Sequence, residues 1–200
     1  MSAELTPERQ LNAVKDYIWN NTPDPSFEEF DKVQDVSYHA LSIIREVLKF
    51  PEMVDQIKLG AACVIAQRGS GIYLPMNVGK AENTPDSGFT NKEIKYSIYA
   101  LGKSVVLIQN PHFFDSEQNL ELEKSNQLNL AGNLIPAGAI STPDGTIISV
   151  SGFTAEQDRA IALAAAVKSN RLSREQATEI AQSGEKDSSE YMNSLLELQY

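Results

Sequence analysis

The chain has 200 residues, 42% of them hydrophobic, and a formal net charge of −10. That length and composition suit one globular domain with a substantial core. The negative charge argues against nucleic acid or an anionic membrane surface as a partner, because repulsion must be overcome before any phosphate contact forms.

No apolar run approaches the roughly 20 residues that cross a bilayer. Residues 1–5 show neither the basic nor the apolar region of a signal peptide. The one cysteine, Cys63, lies in the apolar run at residues 60–66, where a thiol reads as a small buried hydrophobe. No intrachain disulfide can form, which suits a reducing compartment. The expectation is a cytoplasmic protein.

In chain order, Thr6-Pro7-Glu8 reads as a helix cap, with Leu11, Val14 and Ile18 at helical spacing behind it. Residues 20–25 form a polar, proline-bearing linker, so residues 1–25 are expected to be an N-terminal appendage. Ser26-Phe27-Glu28-Glu29 is a capping box. After it Val33, Val36, Ala40, Ile43, Ile44 and Val47 trace one face of a helix to about Phe50. A short helical turn follows to Ile57.

Residues 60–66 read as a strand, Gly69-Ser70-Gly71 as a turn, and Ile72-Tyr73-Leu74 as the start of a return strand. Residues 78–88 read as a loop. Thr90 is expected to cap a helix to Leu101, with Ile94, Ile98 and Leu101 facing inward and Gly102 as its stop. Ser104-Val105-Val106-Leu107-Ile108-Gln109 then reads as a third strand. Residues 110–133 are polar and ambiguous, with room for a short helix over 117–128.

Residues 137–141 and 146–150 read as strands joined by Pro143-Asp144-Gly145, in which proline presets φ and glycine takes the positive φ. Thr154-Ala155-Glu156-Gln157 is a second capping box, followed by a stripe of Ala160, Leu163, Ala164 and Val167. Ser173 caps another short helix, ended by Gly184, and residues 191–198 form a last amphipathic piece. Hairpins at both ends of the series imply an α+β domain with a mostly antiparallel five-stranded sheet flanked by helices. It is expected to occupy residues 26–170, with a helical extension at 171–200.

Three stretches resemble the GlcG/HbpS-like haem-binding family. The run Ile135-Pro136-Ala137-Gly138-Ala139-Ile140, then Pro143-Asp144-Gly145 and Val150-Ser151-Gly152, then Glu156-Gln157-Asp158 before Ala160-Ile161-Ala162, is similar to the end of that family's domain. Ala66-Gln67-Arg68-Gly69-Ser70-Gly71-Ile72-Tyr73-Leu74 resembles its first hairpin. Residues 95–104, with Lys95, Gly102 and Ser104, resemble its central helix and exit. The likeness spans roughly residues 27–167. It implies a three-layer GlcG-like or profilin-like architecture. It also implies non-enzymatic binding of haem or another tetrapyrrole by some members, and homo-oligomers.

Haem iron takes an axial donor such as His, Tyr, Met or Cys thiolate. Of the two histidines, His39 sits on the long helix between Val36 and Ile43, where a packed helix histidine and a ligand are both open readings. His112 follows Asn110-Pro111 and precedes Phe113 and Phe114, which suits the mouth of a pocket as well as a plain surface loop. Ser151, Gly152, Phe153 and Thr154 place backbone N–H groups at a helix N-terminus. They can serve a carboxylate or phosphate, or simply make a turn and a cap.

No residue set suggests a metal cluster or a catalytic triad. The leading expectation is a non-catalytic small-ligand-binding protein, with haem as a candidate cofactor. The alternatives are an enzyme acting on a small carboxylate metabolite, with the Gly152 helix end as anion cradle, and a structural oligomerisation protein.

Overall fold

The computed structural model describes residues 27–50, 60–69, 73–79, 89–116, 137–184 and 186–200. The expected N-terminal helix and linker, the turn to Ile57, the Gly69–Gly71 turn beyond its first residue and the optional helix at 117–128 lie outside them. The elements are α1 (Phe27–Lys49), β1 (Gly60–Gln67), β2 (Tyr73–Gly79), α2 (Phe89–Gln109), β3 (Ala139–Ser141), β4 (Thr146–Ser151), α3 (Ala155–Lys168), α4 (Arg174–Ser183) and α5 (Ser189–Leu196).

Among the described residues, the strands form one antiparallel four-stranded sheet in the order β2-β1-β4-β3. The domain is therefore α+β, as expected. β1 is central, pairing Ala62 with Asn77 on one side and with Ser151 on the other. Its unbroken apolar sequence follows from burial on both faces, since helices cover both. Ala61, Cys63 and Ile65 face the larger core with Ile148 and Val150 of β4, and with α1 and α3. Ala62 and Val64 face Ala100, Leu101 and Val105 of α2.

α1 buries Val33, Val36, Ala40, Ile43, Ile44 and Val47 completely, which is the stripe read from its spacing. α3 is buried around almost its whole circumference, every residue from Gln157 to Ala166 being buried. It lies between the sheet, α1 and the α4–α5 pair, so its apolar face is broader than the four-residue stripe expected.

The expected third strand is helical. Ser104 to Gln109 continues α2, and Gly102 lies inside the helix instead of ending it. The cause is burial on all sides: residues 100–107 are all buried. A helix with no solvent face has no 3.6-residue period to read, and a β-branched run then mimics a strand. The Ser104 hydroxyl donates to the carbonyls of Ala100 and Leu101, so it is satisfied within the helix. Among the described residues, what lies on the outer edge of β3 is a single bridge, Asp115 to Ile140.

Candidate functional site

α2 stops where the sequence dictates. Pro111 disfavours helical backbone at Asn110 and carries no N–H of its own. The Asn110 backbone N–H and its side-chain amide both donate to the Val106 carbonyl at the helix end. The chain then turns, with Phe113 N donating to Asn110 O at 2.9 Å. Phe114 O accepts from Ser141 N at 2.9 Å, and Ser116 Oγ accepts from Ala139 N at 3.2 Å. Residues 110–116 thus run from the end of α2 along the outer edge of β3.

The outer part of this segment is exposed. His112 is exposed, and its ring stacks edge-on against Phe113 with centroids 4.6 Å apart. No hydrogen bond reaches the His112 ring among the described residues. Phe113 packs partly buried on Ala66, Leu107, Ala139 and Ile147. Phe114 is 49% exposed.

The inner part carries a buried charge. Asp115 Oδ2 lies 2.6 Å from Arg159 Nε, with both side chains almost wholly buried. Beside them Lys103, fully buried on α2, pairs with Asp158 Oδ2 at 3.1 Å and donates to Val150 O at 2.7 Å. Two cations and two carboxylates therefore tie α2, the 110–116 segment and α3 together past the short β3. Gly138 (φ +121°) passes so close that a Cβ there would lie 2.5 Å from Asp158 Cβ and 2.7 Å from Lys103 Nζ. Burial pushes the Asp115 carboxyl up to about 6, outweighing the opposing pull of Arg159 and Lys103.

The residues expected to hold an anion lie elsewhere and are already engaged. Gly152 (φ +145°) packs against β1, where a Cβ would lie 2.8 Å from Ala61 Cβ. Phe153 N donates to Asp158 Oδ1 at 3.1 Å. Thr154 N donates to Gln157 Oε1, and Gln157 N to Thr154 Oγ1, completing the expected capping box. Asp158 thus puts the chain's own anion at the N-terminus of α3. Ser151 is buried in the β1–β4 pairing.

Phe113 packs at the Ile147 end of β4, whereas Gly152 follows its other end. At about 3.3 Å per residue the two are separated by roughly 15 Å along the strand. The structure brings His112 and Phe113 together, and Ser151, Gly152, Phe153 and Thr154 together, but not the two groups.

His39 belongs to a third place. Its Nδ1 lies 3.0 Å from Tyr200 Oη and its Nε2 3.5 Å from Asp35 Oδ1. Tyr38 and Tyr200 pack edge-on around it, and the Lys168 ammonium, donating to Leu198 O, lies over the Tyr200 ring. Both nitrogens of His39 are thus engaged, Nδ1 with the C-terminal Tyr200 and Nε2 with Asp35 one turn back on α1.

Sequence reasoning missed Arg68, Lys103, Asp115 and Arg159 as organisers of this region. One signal was available: Asp158-Arg159 stands at the head of an otherwise Ala-, Ile- and Leu-rich helix. Among the described residues, no group of three or more His, Cys, Asp or Glu is placed to hold a metal ion. Comparison with protein-family models, curated proteins and solved structures finds no match to the chain.

Proposed function

We propose that the domain is a non-catalytic small-ligand-binding protein of the GlcG/HbpS-like type, with haem or a related tetrapyrrole as its ligand and His112 as the iron donor. The observation that supports this is the contrast between the two histidines. His39 has both ring nitrogens engaged, whereas His112 is exposed beside Phe113 and half-exposed Phe114. A bound haem supplies an iron with an axial position to fill. The chain supplies an imidazole and an aromatic surface on which a flat macrocycle can rest.

The carboxylate-enzyme reading has less support. Its anion cradle at Gly152 is filled by Asp158, and Cys63, the sole thiol, is buried with its pKa raised to about 12. Titration with ferric haem tests the proposal. A Soret band that grows on addition and is lost in His112→Ala, but kept in His39→Ala, is the expected result. No spectral change in the unaltered protein overturns the haem assignment.

A further inference from the structure

Arg68 lies in the turn after β1, and its guanidinium reaches across to the end of α2. Nη2 donates to Leu107 O at 2.8 Å and to Ser141 Oγ at 3.1 Å, while Nη1 donates to Pro111 O at 2.9 Å. The Arg68 backbone N–H donates to Gly145 O at 2.8 Å, which fixes the turn against the β3–β4 hairpin.

A cation at a helix C-terminus is favoured by the helix dipole, and the last-turn carbonyls there lack intrahelical partners. Pro111 O belongs to the peptide that enters His112. One planar group therefore holds the last turn of α2, the end of β3 and the residue before His112 in one fixed relation. At the other end of the segment, Asp115 is held by Arg159. Only the outer side chains between these anchors are left exposed.

We propose that Arg68 is a positioning residue: its guanidinium sets where His112 is presented, and so sets the affinity of the site for a ligand that His112 coordinates. This rests on the reading of His112 as a ligand donor. A lysine cannot replace it, because an ammonium presents donors from one point, whereas the guanidinium spreads them in a planar fork across two carbonyls.

Haem titrations of the unaltered protein, Arg68→Lys, Arg68→Ala, Ser141→Ala and His112→Ala test the proposal, each with a thermal melt. Expected is affinity weakened roughly ten- to a hundredfold in Arg68→Lys, the range for losing a charge-assisted hydrogen bond, with a shifted Soret maximum and a cooperative melt. Ser141→Ala, which keeps both carbonyl contacts, should bind within a few-fold of the unaltered protein. An unchanged affinity and Soret maximum in both Arg68 variants, with His112→Ala still abolishing the band, overturns the role of Arg68 alone. A Soret band absent from the unaltered protein, or untouched by His112→Ala, overturns the reading of His112 beneath it. If Arg68→Ala does not fold, Arg68→Lys decides.

Discussion

At the scale of single residues, the buried charges at the β3 edge are the feature with the largest energetic consequence. A buried ion pair adds little over a well-packed apolar pair, but removing one partner strands a charge without solvent. Lys103→Met is expected to cost about 3–5 kcal/mol, because the buried Asp158 carboxylate then loses the ammonium it pairs with. A urea unfolding midpoint measures this. Asp115 makes the pH dependence legible. Its folded-state value of about 6 lies above the ordinary 3.8, so the native state favours the protonated carboxyl. Its contribution to stability is therefore fully present below about 3.8 and is lost as pH rises through about 6. Subtracting the stability profile of Asp115→Asn from that of the unaltered protein should show a fall across that interval. A flat difference, or a rise, contradicts the burial argument. In sequence the one hint was Asp158-Arg159 at the head of an apolar helix; an Asp on a polar stretch such as Asp115 looks like a solvated charge.

At the scale of elements, local chemistry read well wherever a cap or a turn carried it. The Thr154 and Ser173 capping boxes form with both reciprocal bonds, and Gly145 takes φ +84° in the Pro-Asp-Gly turn. Thr154→Ala is expected to cost about 1 kcal/mol, as loss of a cap typically does, again by urea midpoint. The α1 stripe was legible because one face of that helix meets solvent and the other the sheet. The second half of α2 was not, because it meets protein on every side and its valines then speak for a strand. Tertiary burial overrides propensity there, and the expected strand at residues 104–109 is helix, leaving four strands among the described residues. The edge of β3 holds an antiparallel bridge from Asp115 to Ile140.

At the scale of the whole molecule, the antiparallel sheet and the α+β class followed from two hairpins that the sequence marks plainly. The larger core unites α1, β1, β4, α3, α4 and α5, and Cys63 sits in it with no exposed surface. The thiol should therefore be inert to a disulfide reagent in the native protein and react only on unfolding, which a timed absorbance assay with and without urea distinguishes. Rapid labelling of the folded protein would contradict that core. The candidate site was only half legible. His112 and Phe113 are together as their adjacency suggests, but whether they share a cavity with Ser151, Gly152, Phe153 and Thr154 depended on strand register, which places them at opposite ends of β4.

The chain contains two histidines, so carbon-labelled histidine gives two ring signals in a magnetic resonance spectrum. Added ferric haem should broaden or shift one of them, the signal that His112→Gln removes, while the His39 signal stays with its Tyr200 and Asp35 contacts. Two unchanged signals, or a change confined to His39, would contradict the assignment of His112 as the donor.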